Sequence, residues 1–191
     1  MNNKMIEYSN MLPVSKKGHI FYYFEDIQKY IENAVAYASA GVQDEGHVIF
    51  LENDRLYPVI YRSLQTILPE NRLAHIYHVN NFDFYFSEGN FHPPTIFEHF
   101  QRKLHPFFES GVPVRTWGHV EWRDEDEIIC SLIEFEEKAH EMLDELPVLG
   151  VCAYESRLIP ESFKTFLLGC HGFQITDDKI TDLTASARAQ K

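Results

Sequence analysis

The chain has 191 residues, which suits one domain, and 45% of them are hydrophobic and 14% aromatic, enough for a substantial core. Lys and Arg total 17 against 29 Asp and Glu, a formal charge of -12. A field of that sign repels phosphate backbones and anionic lipid surfaces, so neither nucleic acid nor a membrane is an expected partner.

Cys130, Cys152 and Cys170 are odd in number, far apart and set among apolar neighbours. That pattern argues against a disulfide framework or a zinc knuckle and for a reducing compartment. Lys4, Glu7 and Asn10 break the N-terminal stretch before it reaches the ~7–15 apolar residues of a secretory signal, and no segment reaches the ~18 of a membrane span. A cytoplasmic location is expected.

Residues 1–17 show no period and are read as a lead-in. His19 to Phe24 is a run of β-branched and aromatic residues, bounded by Gly18 and Glu25-Asp26, and predicts a buried strand. Asp26 then caps a helix whose Ile27, Tyr30, Ile31, Ala34, Val35 and Ala38 recur at helical spacing, closing near Gly41 and Gly46. His47 to Leu51 predicts a second strand, and Glu52-Asn53-Asp54 caps a helix through Tyr57, Ile60, Leu64 and Leu68. Ala74 to Val79 predicts a third strand, Asn80 to His92 a loop, and Pro93-Pro94 the start of a helix that Pro106 kinks or ends. Val112 to Trp117 predicts a fourth strand, Ile128 to Leu146 a long helix, and Val148 to Tyr154 a fifth strand. Pro160 opens a last helix, and Phe173 to Ile180 reads as one final strand.

Near-continuous apolar strands alternating with amphipathic helices predict an α/β fold: a three-layer, mainly parallel sheet with helices on both faces. The expected organisation is a lead-in over 1–17, one domain over 18–183 and a polar tail over 184–191 that frays.

In open parallel sheets, ligands bind beyond the carboxyl ends of the strands. That rule nominates the residues around Glu25, Glu52, Trp117 to Glu121, and Cys152 to Glu155. A phosphate cradle needs glycines after the first strand and a lysine, whereas Phe24 runs directly into two carboxylates, and no G-x-G-x-x-G occurs elsewhere. Nucleotide hydrolysis and dinucleotide binding are therefore not expected.

Ten histidines raise the question of metal. His75 and His78 face opposite sides of a strand, and His99 and His105 sit on a surface-type helix, so solvated or hydrogen-bonded side chains are the plainer reading. A site joining His119, Glu121 and Cys152 is the one arrangement left open, and no metal ligand or cofactor is assigned. Cys152 paired with a histidine would make a nucleophile, against the plainer reading of a buried structural thiol. The strand-end carboxylates Glu25, Glu52, Glu121 and Glu155 would supply acid–base chemistry, against a role as helix caps. No catalytic residue is assigned.

The ordered set His19-Ile20-Phe21, Gly41 with Glu45 to Ile49, Phe91 to Pro94, Val114 to Gly118 and Gly150 to Tyr154 resembles the MEDS domain, the DcmR-type sensory module, over roughly residues 18–176. The resemblance implies a RecA-like or KaiC-like fold, that of P-loop NTPases without the Walker A loop. It also implies a domain that senses small organic compounds in a bacterial regulator and is often joined to DNA-binding or histidine-kinase modules. Seen without such a module, the chain is expected to signal by contacting a regulatory protein. One departure stands out, because this sequence has His119 where the family usually has an acid after the glycine of the fourth strand. An imidazole there changes charge and hydrogen-bonding at the pocket.

The expected function is a non-enzymatic sensory domain whose ligand-binding residues are His19, Tyr22, Glu25, Trp117, His119, Glu121, Cys152, Tyr154 and Glu155. Two alternatives remain: an interaction module that homodimerises through Phe97, Phe100, Phe107 and Phe108, and a divergent enzyme using Cys152 or the strand-end carboxylates.

Overall fold

A computed structural model describes residues 17–43, 45–109, 111–122 and 128–184. Most of the expected lead-in, the acidic run 123–127 and the tail after Thr184 lie outside the described residues. The strands are β1 (Gly18–Phe24), β2 (His47–Glu52), β3 (Ile76–Asn80), β4 (Val114–His119), β5 (Val148–Glu155), β6 (Phe173–Ile175) and β7 (Ile180–Asp182). The helices are α1 (Ile27–Gln43), α2 (Tyr57–Gln65), α3 (Glu70–Leu73), α4 (Asn81–Tyr85), α5 (Pro93–Glu109), α6 (Ile128–Glu145) and α7 (Glu161–Cys170).

The strands make one seven-stranded sheet in the order β3-β2-β4-β5-β1-β6-β7. All pairings are parallel except β6 with β7. Alternation along β1 sends Ile20, Tyr22 and Phe24 to one face, where they pack with α1 residues such as Tyr30, Ala34 and Tyr37 and with Ile60 and Leu64 of α2. Phe21 goes to the other face, with Ile96, Phe100, Leu132, Phe135, Phe163 and Leu167 of α5, α6 and α7. Because both faces are covered, the central strands need no polar side, which is why they read as unbroken apolar runs.

Three local expectations differ from the structure. The segment after Asn80 is not all loop: the Asn80 side chain accepts from the Phe82 and Asp83 amides and starts α4, whose Phe84 and Tyr85 are buried. The last strand is a hairpin of β6 and β7, closed by the Thr176 amide donating to the Lys179 carbonyl. Pro106 does not end α5, which runs on to Glu109.

Glycine matters where backbones meet. A Cβ on Gly46 would lie 2.8 Å from the Pro113 carbonyl oxygen, so only glycine lets the α1–β2 turn approach the start of β4.

Candidate functional site

Because β1, β2, β4 and β5 are parallel, their carboxyl ends share one edge of the sheet and bring distant residues together. A cleft of about 330 Å³ opens there, lined by Phe24, Glu25, Ile27, Arg55, His119, Glu121, Glu155 and Arg157. Ile27 is exposed, whereas His119, at the end of β4, is buried in the cleft wall.

His119 is fixed from behind. Its Nδ1 lies 2.8 Å from Glu52 Oε1 and 3.5 Å from Glu121 Oε2. Glu52, fully buried at the end of β2, also accepts from the Asn53 amide on Oε1 and from the Tyr30 hydroxyl on Oε2. The Trp117 indole N–H donates in turn to the Tyr30 oxygen at 2.7 Å. Glu121 Oε2 accepts from the side chains of Asn53 at 2.6 Å and Asn81 at 2.8 Å. Both Glu52 oxygens and Oε2 of Glu121 thus have donors, and Nδ1 of His119 is held, which leaves Nε2 as its one other polar atom. Burial pulls the His119 pKa down, but the charge and hydrogen bond of Glu52, with Glu121 and Glu155 beyond, more than offset it and raise the imidazole above its ordinary value. Burial and the neighbouring Glu52 push the Tyr30 hydroxyl well up, so it stays a donor.

At the end of β1, where a phosphate-binding loop would present its amides, the Glu25 and Asp26 N–H groups donate to Asp177 Oδ2 at 3.2 and 3.0 Å. The Asp26 carboxylate accepts from the Gln28 and Lys29 amides at 2.7 and 3.1 Å and caps α1. Tyr22 reaches the same group, its hydroxyl donating to Asp177 Oδ1 at 3.2 Å. The tip of the β6–β7 hairpin therefore puts a carboxylate on these amides.

A second cluster lies on the opposite face of the sheet. His19 of β1, Cys152 of β5, Glu136 of α6 and His171 after α7 are all buried, with one donor atom of each within 4.8 Å of the others. Burial, with His171 and His140 nearby, holds the His19 pKa well below its usual value. Burial and Glu136 raise the thiol of Cys152 and the hydroxyl of Tyr154, and Tyr154 donates to Glu136 Oε1.

Of the residues nominated from sequence, Glu25, His119, Glu121 and Glu155 line the cleft. Tyr22 and Trp117 are fully buried behind it, with their polar atoms bonded inward. His19, Cys152 and Tyr154 belong to the other face, so Cys152 does not meet His119 and Glu121. Sequence reasoning missed Arg55, Asn81, Arg157, Asp177, Glu136 and His171. Only Glu136 left a clear signal: it is a charge at the buried spacing Leu132, Glu136, Ala139, Leu143 of α6. The cysteines are free, Cys130 exposed and Cys152 buried.

The sheet order, the helices on both faces and the polar strand-end cleft define a RecA-like α/β domain. One solved ATPase domain is similar in structure, with a TM-score of 0.58 at 9% identity, covering 85% of this chain and 69% of that one. An ATP synthase subunit, NeqB from Nanoarcheaum equitans, has a TM-score of 0.51 at 9% identity, over 84% of this chain and 45% of that one. Likeness at such identity shows the fold alone. No protein of curated function matches the sequence. The chain belongs to the MEDS family, the MEthanogen/methylotroph, DcmR Sensory domain, whose model matches residues 18–172. Membership gives it a sensory or regulatory role. Among the described residues, no helix is long and apolar enough to cross a membrane.

Proposed function

We propose that the strand-end cleft is the sensing site, that it takes a small oxygenated organic molecule, and that the occupied state is passed on through contacts with a regulatory protein. The observation that supports this most is a buried imidazole, fixed by Glu52 and raised in pKa, in the wall of a cleft of about 330 Å³. That volume sits at the small end of the ~300–1,000 Å³ of ligand pockets. Phe24 and Ile27 supply apolar wall, while His119 donates to a hydroxyl, carbonyl or carboxylate oxygen. A triphosphate fits poorly, because the amides that would hold it already donate to Asp177 and the cleft adds Glu25, Glu121 and Glu155.

The test is a thermal-shift panel of short alcohols, aldehydes, carboxylates and nucleotides on the full chain and on His119→Ala. A ligand of the native state raises the midpoint. The expected result is a small oxygenated compound that raises the midpoint of the parent chain and binds the variant at least tenfold more weakly. Equal shifts in both proteins, or the largest shift with ATP and magnesium, would sink this reading.

A further inference from the structure

We propose that His19, Glu136, Cys152 and His171 form a closed, four-ligand site for Zn²⁺ beneath α6 and α7. The spacing is the first argument. His19 Nε2 is 3.2 Å from Cys152 Sγ and 3.3 Å from Glu136 Oε2, and His171 Nε2 is 3.3 Å from the same oxygen. Ligands bound at ~2.0–2.3 Å around a tetrahedral centre stand about 3.3–3.6 Å apart, so the two nitrogen–oxygen spacings already match, while the His19 and His171 rings, with centroids 3.7 Å apart, open to admit the ion.

The hydrogen positions are the second argument. The His171 Nδ1 lies 2.7 Å from the Leu167 carbonyl, which can only accept, so Nδ1 carries a hydrogen, and in the neutral ring a metal requires this leaves the lone pair on Nε2. Such a carbonyl behind the ring is the usual way a metal-binding histidine is oriented. Glu136 Oε1 is taken by the Tyr154 hydroxyl, while Oε2 is buried and accepts no hydrogen bond. Oε2 and His171 Nε2, both buried and without a hydrogen-bond partner, therefore lie 3.3 Å apart in the interior, and with the ring neutral two lone pairs face each other. A cation between them turns that repulsion into attraction.

Charge and donor type name the cation. One thiolate and one carboxylate cancel a divalent charge, and the two imidazoles remain neutral, so the buried site closes with no net charge. Binding converts the Cys152 S–H to a sulfur–metal bond and releases its proton to solvent. Sulfur with two imidazole nitrogens favours zinc over magnesium or calcium, and four protein ligands leave no position for water. The Glu52, His119 and Glu121 group has comparable residue types but spends its inward oxygens on Asn53, Asn81 and Tyr30. It calls for no cation.

The test refolds the full chain from denaturant and chelator in the presence of Co²⁺, a spectroscopic stand-in for Zn²⁺, then titrates Zn²⁺. The expected result is one equivalent of tetrahedral Co²⁺ with a thiolate-to-cobalt charge-transfer band, displaced by Zn²⁺. Cys152→Ser should lose that band and the exposed Cys130→Ser keep it, with folding followed by far-ultraviolet circular dichroism. Glu136→Gln retains the side-chain shape and should bind Co²⁺ at least tenfold more weakly, a readout that stands even where the cysteine variant fails to fold. A folded parent chain that takes up no Co²⁺, leaving a metal-free His171–Glu136 pair, overturns the proposal. So does a band that survives Cys152→Ser or disappears in His119→Ala.

Discussion

The two polar clusters use the same few residue types on opposite faces of one sheet, yet their hydrogen bonding differs. At the strand ends, Glu52 and Glu121 are met by donors: Tyr30, Asn53, Asn81 and His119 are aimed at them. Under α6 and α7, Glu136 Oε2, His171 Nε2 and His19 Nδ1 have no hydrogen-bond partner. A histidine beside a carboxylate therefore says little by itself. Which ring nitrogen carries the hydrogen, and whether each oxygen has a donor, separates an oriented hydrogen-bonding imidazole from a metal ligand.

The largest effect that would break this contrast is metal removal. With Zn²⁺ at about a thousand times its dissociation constant, unfolding of the parent chain should cost about 4 kcal/mol more than after stripping, by denaturant titration. The same treatment of Cys152→Ser should change little, and an equal change would erase the distinction. Next comes Tyr30→Phe, which takes the hydroxyl from between Trp117 and Glu52 and leaves both short of a partner. A loss of about 1–3 kcal/mol is expected, read from the shift of the denaturation midpoint. Glu121→Gln, at the part-exposed side of the same network, should cost about 1 kcal/mol or less in the same measurement.

The smallest effect is a pH dependence. The folded His119 pKa lies above the ~6.5 of an unfolded histidine, so its charged form is the one that folding favours. Its stabilisation is complete below ~6.5 and fades as pH rises through the folded value. The difference in melting temperature between the parent chain and His119→Gln should therefore shrink from about pH 6 to about pH 9. A gap that widened over that range would mean that Glu52 does not govern the ring.

The sheet was legible because its strands are buried on both faces and α1 shows its period openly. The short elements were harder. Residues 81–85 gain α4 from the Asn80 cap and from burying Phe84 and Tyr85, contacts with no local period. The β6–β7 turn is signalled by Asp177-Asp178 alone. The strand-end site was partly readable, since parallel strands must deliver their last residues to one edge. The second cluster was not, because His19 and Cys152 meet across the β1–β5 pairing while Glu136 and His171 arrive from two separate helical segments.

The β6–β7 hairpin has a consequence beyond widening the sheet. Its Asp177 is a tethered anion, present at the β1 amides at an effective concentration set by the short turn, not by the solution. A free phosphate or carboxylate arriving there competes with a rival that never diffuses away. The β1 amides are thereby satisfied from within the chain, so a hairpin at the sheet edge closes the position that a phosphate-binding loop would use.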